Sequence, residues 1–175
     1  MISTHYYPPN NLPMISLTIK AGKLLVLDWY HDKTQKLLDD INQQAVFVAA
    51  DKLDPHDDNH KIALQTIKEL DEYFKGERQD FTIPLDISHG TPFQIKVWQA
   101  LLNIPYGDTI SYKALAEQIG KPTAFRACAN ANGKNLISLI VPCHRVIASD
   151  GTLGGYTGGL TIKQTLLDLE KRWQT

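Results

Sequence analysis

The apolar residues of this chain change their period part-way along it, and that change limits what each end can build. Ile15–Ser16–Leu17–Thr18–Ile19 alternates apolar and polar with a period of two, the pattern of a half-buried strand. Ala21–Gly22–Lys23 supplies a turn, and Leu24–Leu25–Val26–Leu27 returns as a second strand. From Lys61 to Lys75 the period becomes helical: Ile62, Ile67, Leu70 and Phe74 share one face, and Gly76 ends it. From Phe93 the positions Val97, Trp98, Leu101 and Leu102 recur at helical spacing until Asn103–Ile104–Pro105. The pattern predicts a small α/β domain with its connector over residues 1–88 and a mainly helical domain over residues 89–175.

The rest of the first half is less regular. Residues 1–13 hold three prolines and two adjacent asparagines and read as an irregular arm. Asp32 is placed to cap a helix running through Leu37, Leu38 and Ile41 to about Asn42. Residues 45–50 form a short apolar strand candidate, and residues 51–60, with four Asp and one Pro, read as a loop. Nothing in this half has the pattern of a catalytic site.

In the second half Ser111 precedes a helix through Leu115, Ala116 and Ile119, which Gly120–Lys121–Pro122 stops. A further helix runs from about Thr123 to Asn132 and ends at Gly133. Helix, short glycine turn, helix is a helix-turn-helix pattern, whose second helix enters a groove of DNA. That helix carries Ala124, Ala127, Ala129 and Ala131, with Arg126 as its one long cation. A major-groove reader wants Gln, Asn, Arg and Lys facing the bases. Small residues around one Arg instead suit close approach to a minor groove.

Net charge at first argues against such a partner, because 18 Lys and Arg against 19 Asp and Glu leave −1. The two halves differ, however. Residues 1–88 carry nine basic and 14 acidic side chains, whereas residues 89–175 carry nine and five. The cationic excess falls on the half with the helix-turn-helix, as an anionic partner would require.

The chemistry-bearing run follows. Ile137–Val141 is strongly apolar and reads as a buried strand leading into Pro142–Cys143–His144–Arg145–Val146. A cysteine beside a histidine is a candidate activated thiol, since the thiolate is the nucleophile. Neighbours on an extended strand point to opposite faces, so His144 needs a turn or a bridging water to act on Cys143. The plainer alternative is a buried structural cysteine, which is how Cys128 reads within its apolar helix. Downstream, Gly154–Gly155–Tyr156–Thr157–Gly158–Gly159 lets backbone pass close to a flat ligand. It is not a phosphate-binding P-loop, for no Lys-Ser/Thr follows at the required spacing. Residues 161–172 form an amphipathic helix carrying Glu170.

Together these pieces resemble the O6-alkylguanine-DNA alkyltransferases. The resemblance rests on Pro142–Val146, Gly90–Thr91–Pro92–Phe93–Gln94, Ile104–Pro105–Tyr106–Gly107, Ser111–Tyr112, Arg126–Ala127, Asn135, the Gly155–Gly159 loop and Glu170, and covers about residues 61–175. It implies a ribonuclease H-like first domain and a winged helix-turn-helix-like second one. It also implies an irreversible transfer of an alkyl group from O6 of guanine, or O4 of thymine, to Cys143. His144 would take the thiol proton through a water, with Glu170 orienting the imidazole. Asn135 would hold the turn bearing the cysteine, and Tyr112 would donate a hydrogen bond to the guanine ring. Arg126 would fill the stack vacated by a flipped nucleotide. Val146, Tyr156, Thr157 and Gly158 would form the base pocket, with Lys163 adding positive charge. Lys113, Lys121, Thr123, Ala124, Ala127 and Ser149 would contact DNA along with Arg126 and Tyr112.

The implied partner is duplex DNA containing O6-alkylguanine, with no cofactor and no obligate protein partner, the protein acting as a monomer. Zinc-binding relatives use cysteines in the first domain, and here both cysteines lie in the second half, so no metal is expected. His56 and His60 are four apart but lack a companion thiolate. No apolar run approaches the ~18 residues of a membrane helix. The N-terminus lacks a basic and then apolar leader, so a cytoplasmic location is expected, nucleoid-associated or nuclear according to the cell. Three rivals remain: a non-enzymatic lesion binder, in which relatives replace the cysteine; a cysteine hydrolase; and a plain DNA-binding regulator.

Overall fold

The computed structural model describes residues 1–31 and 34–174. The chain divides into two compact units, Met1–Asp86 and Ile87–Thr175.

In the first unit, β1 (Ile2–Tyr6), β2 (Ile15–Lys20), β3 (Lys23–Trp29) and β4 (Val46–Phe47) form one sheet in the order β3-β2-β1-β4. β2 pairs antiparallel with both β1 and β3, and β4 pairs parallel with β1. The β2–β3 hairpin turns through Ala21 and Gly22, at φ 50° and 70°. Two successive positive φ values give the turn whose twist matches the flanking strands. α1 (Gln35–Asn42) and α2 (Asp58–Phe74) follow, and α2 packs on β1, β2 and β3. Ile15, Leu17 and Ile19 are fully buried, as are Leu24, Val26 and Leu27 opposite them.

Three expectations change here. The supposed arm is a central strand over Ile2–Tyr6, because its prolines all come later, at Pro8, Pro9 and Pro13. Ser3 and Thr4 are buried within it, so polar side chains hide the apolar signal. The strand at 45–50 shrinks to Val46–Phe47, an exposed edge followed by a 3₁₀ turn at Ala50–Lys52. The acidic loop ends early, since Asp57 caps α2 by accepting from the Asn59 and His60 amides. The capping role expected of Asp32 lies outside the described residues.

In the second unit, α3 (Pro92–Leu101) starts with a capping box in which the Thr91 hydroxyl accepts from the Gln94 amide and the Gln94 side chain returns the contact. β5 (Ile110–Ser111) leads into α4 (Tyr112–Gln118), whose cap is the Ser111 hydroxyl. α5 (Phe125–Asn132) is the second helix of the pair. The turn between them passes through Gly120 at φ 70°, a left-handed position that favours glycine. Beyond a one-turn 3₁₀ helix at Cys143–Arg145, β6 (Val146–Ile147) pairs parallel with β5. α6 (Leu160–Trp173) closes the unit.

Residues 137–141 are not the strand their composition predicts. They fold as successive tight turns: Ile140 N–H bonds the Ser138 carbonyl, Val141 N–H bonds the Ile137 carbonyl, and Leu139 sits at φ 72°. A short apolar run records burial on every side, and a turn buried in the core provides that as well as a central strand does.

Candidate active site and DNA-binding surface

The turn segment exists because Asn135 replaces a strand partner. Its Nδ2 donates to the Val141 carbonyl at 2.9 Å, and its Oδ1 accepts from the Ile137 amide at 2.9 Å. This clasp delivers the chain into the 3₁₀ turn, where Cys143 N–H bonds the Val141 carbonyl at 2.7 Å and Arg145 N–H bonds the Pro142 carbonyl at 3.0 Å. Cys143, His144 and Arg145 are therefore consecutive residues of a single buried turn rather than of an extended strand.

α6 supplies the other side. Its buried residues Ile162, Lys163, Leu166 and Glu170 are spaced as one helical face. Glu170 Oε1 accepts from His144 Nε2 at 2.7 Å and from Arg145 Nη2 at 3.0 Å. Its Oε2 accepts from Arg145 Nε at 2.9 Å and from the Gly107 amide at 3.1 Å. Arg145 Nη1 donates to the Ile104 carbonyl at 2.7 Å, and its guanidinium lies 5.6 Å from the Tyr106 ring centroid.

Burial pushes the Glu170 carboxyl up, but His144 and Arg145 outweigh it and hold the group well below the usual carboxylate range. An ionised carboxylate only accepts, so Nε2 of His144 carries the proton and Nδ1 presents a lone pair. Burial lowers the affinity of His144 for a second proton; Glu170 raises it, and Arg145 and Lys163 lower it again, leaving a net fall. The imidazole is thus neutral near pH 7. Its Nδ1 is buried and has no partner among the described residues.

Lys163 is fully buried with its ammonium in a ring of backbone carbonyls. It donates to Val146 at 2.6 Å, to Gly155 at 3.3 Å and to Leu153. Burial brings its pKa down to about 8, with Cys143 opposing. Tyr112 is half-buried at the start of α4, and its hydroxyl reaches the Gly155 carbonyl at 3.4 Å. Burial raises its pKa, and Cys143 adds to the rise. Tyr156 is buried, Thr157 and Gly158 are half-buried, and the Thr157 hydroxyl bonds the Gly133 carbonyl at 3.3 Å. The Val146 carbonyl is already engaged by Lys163, so a base contact there shares the oxygen.

The helix pair presents Lys113 on α4, Lys121 and Thr123 in the turn, and Arg126 and Ala127 on α5, all exposed; Ala124 is half-buried. Arg126 has its guanidinium 5.8 Å from the Phe125 ring centroid. Ser149 is exposed in the turn closed by the Ala148 amide on the Thr152 carbonyl. Cys128 is fully buried in α5. Among the described residues no group of three His, Cys, Asp or Glu is placed to hold a metal ion, and His60 Nδ1 accepts the Asp54 amide.

Two residues enter the site that sequence reasoning gave no role. Arg145 was legible as part of Pro142–Val146 but not as the partner of Glu170. Asn132 read only as the end of a helix, yet its Nδ2 donates to the Cys143 carbonyl at 3.2 Å.

Comparison with known proteins decides the family. Residues 23–87 match the 6-O-methylguanine DNA methyltransferase ribonuclease-like domain, and residues 92–172 match the DNA binding domain of the same family. The chain belongs to the 6-O-methylguanine DNA methyltransferase family. It is 57% identical over 107 residues to the methylated-DNA--protein-cysteine methyltransferase of Mycobacterium leprae, a stretch covering 61% of this chain and 64% of that protein. With the Mycolicibacterium paratuberculosis protein of that name it shares 52% over 115 residues, 66% of this chain and 69% of the relative. The aligned stretches thus span about two thirds of these relatives' lengths. The fold agrees more widely: the Mycobacterium tuberculosis OGT solved in complex with DNA superposes with a TM-score of 0.79 at 36% identity, covering 99% of this chain and 94% of that one. Both the small sheet with helices and the helical second unit are therefore those of 6-O-methylguanine DNA methyltransferases, as the sequence led us to expect.

Proposed function

We propose that this protein repairs DNA by moving an alkyl group from O6 of guanine in duplex DNA onto Cys143, once per molecule. The observation that carries the reading is the His144–Glu170 contact of 2.7 Å inside a turn that also holds Cys143. It fixes the proton on Nε2 and leaves Nδ1 as a buried base with no partner among the described residues.

The thiol proton passes through one water to Nδ1 of His144, and Glu170 and Arg145 hold the ring while it does so. Sulfur then attacks the alkyl carbon: the S–C bond forms as the C–O6 bond breaks, and the electron pair remains on the purine. Tyr112 donates a hydrogen bond to that developing anion. The product is a thioether with no leaving group that water displaces, so the reaction ends there. Because O6 is out of reach inside a stacked duplex, the nucleotide is flipped out and Arg126 takes its place, with α5 in the minor groove. Lys113, Lys121, Thr123 and Ser149 contact the backbone and position the duplex without reading sequence. The protein acts as a monomer in the cytoplasm. Among the described residues no helix is long and apolar enough to cross a membrane.

Mixing the protein with an equimolar O6-methylguanine duplex tests this. The peptide bearing Cys143 should gain the mass of one CH2, and activity should end after one equivalent. Turnover over many equivalents refutes the single-use mechanism. Lesion binding without transfer replaces it with the non-enzymatic reading.

A further inference from the structure

Phe125 breaks the run of small residues on the helix that carries Arg126. It is the first residue of α5 and is 44% exposed, whereas the helix buries Cys128, Ala131 and Asn132. Lys121, Thr123, Arg126 and Ala127 around it are exposed as well, so the ring stands at the edge of a cationic surface. A lone exposed apolar residue is ordinary, but this one has a specific neighbour. The Arg126 guanidinium carbon lies over the ring, 5.8 Å from its centroid. Successive residues of a helix do not face each other, so the arginine lies back across the phenyl to reach it. An exposed cation–π contact is weak and is easily exchanged for one with another flat surface.

We propose that Phe125 contacts DNA in its own right: it holds Arg126 in the free protein and, once that finger enters the stack, packs its ring into the minor groove against the base step beside the vacated position. This inference rests on the duplex-repair reading above. A guanidinium stacks on a base as it does on a phenyl ring, so the finger passes from one flat face to another. Part of its side-chain freedom is given up before DNA binds, which lowers the cost of ordering it in the complex. Its departure uncovers the Phe125 ring at the point where the duplex arrives. An apolar side chain there gains by leaving water, and apolar side chains inserted at base steps unstack and bend duplexes gripped from the minor groove. The contact reads no sequence and neutralises no phosphate. It adds affinity that the small cationic excess of residues 89–175 does not supply.

The test is single-turnover repair of a subsaturating O6-methylguanine duplex, set against reaction with free O6-benzylguanine, which has no groove. Phe125→Ala should lower the ratio of the two rate constants about tenfold, the size of one lost aromatic–base contact. A residue that only supports the fold slows both reactions alike, and an unchanged ratio overturns the proposal. In an Arg126→Ala background the same substitution should still lower the ratio by more than about threefold; no further loss there means that the ring only holds the arginine, which overturns the contact with DNA. The slope of log affinity against log salt should match that of wild type, because a ring releases no counterions. A shallower slope places the loss in the cationic contacts and overturns the assignment. If Phe125→Ala does not fold, Phe125→Gln keeps a long side chain without the ring and takes its place in each measurement. Wild-type protein that reacts with neither substrate removes the alkyl-transfer reading and this inference with it. Wild type that repairs the duplex while Phe125→Ala keeps the wild-type ratio removes this inference alone.

Discussion

Replacing Arg145 by Met should move the pH at which transfer fails. The guanidinium and the His144 imidazole share Glu170 Oε1, at 3.0 and 2.7 Å, which places the two charges within about 6 Å of each other. At an effective dielectric of about 20, two like charges at that separation repel by about 3 kcal/mol, on the order of a hundredfold in a protonation equilibrium. The charged groups acting on His144 are Glu170, Arg145 and Lys163; Glu170 favours the imidazolium, and the other two oppose it along with burial. A protonated imidazole cannot take the thiol proton, so the transfer rate falls as pH drops through the His144 transition. Because burial lowers that transition from the usual imidazole range in the folded protein, the wild-type acid limb should lie below that range. In Arg145→Met only the imidazolium is left to compensate Glu170, and the acid limb should move to higher pH. At the acid end of the pH range the variant should then lose more of its alkaline plateau rate than wild type does. Arg145→Lys retains the charge without the two-pronged contact, and its acid limb should stay near that of wild type. Removing one partner of a buried ion pair also costs about 3–5 kcal/mol, so both variants are to be compared well below their melting temperatures. The assay is single-turnover transfer from an O6-methylguanine duplex between about pH 5.5 and 9 at constant ionic strength. An Arg145→Met protein that is folded and shares the wild-type acid limb would refute the Coulombic argument.

Two further outcomes follow from the same structure. Arg126→Ala should slow repair of a duplex by at least about tenfold yet leave reaction with free O6-benzylguanine within about twofold, since only the duplex needs its stack filled; equal losses on both substrates contradict the finger role. Ala21→Gly should stabilise the first unit by about 0.5–1 kcal/mol, because Ala21 is an exposed alanine at φ 50° where only glycine escapes the steric cost; an unchanged or lowered urea midpoint would contradict it.

The sequence exposes what is periodic or punctuated and hides what is paired. The β2–β3 hairpin was readable because Ile15–Ile19 alternates and Ala21–Gly22 punctuates it, and α4 because Ser111 caps it and Gly120 ends it. β1 was hidden because its buried positions include Ser3 and Thr4, so no alternation marks it. Residues 137–141 misled for the opposite reason, since hydropathy reports burial and says nothing of the left-handed Leu139 that folds the run into turns. Cys143 and His144 were conspicuous as chemistry, and Glu170 came only through the family likeness. Their joint electrostatics were not legible at all. Arg145 contacts Glu170 from 25 residues away in sequence and the Ile104 carbonyl from 41, so its function is a property of three segments brought together. A local motif shows that an arginine follows the histidine; it does not show that this arginine bonds both carboxylate oxygens and shares one of them with the imidazole. Burial is the main cause of the lowered His144 affinity for a second proton, and that placement adds to it. Glu170 favours the imidazolium, the form unable to accept the thiol proton, while burial and then Arg145 oppose it. With Arg145 sharing the carboxylate, the same glutamate holds a neutral ring, which is the form the proposed transfer of the Cys143 proton requires.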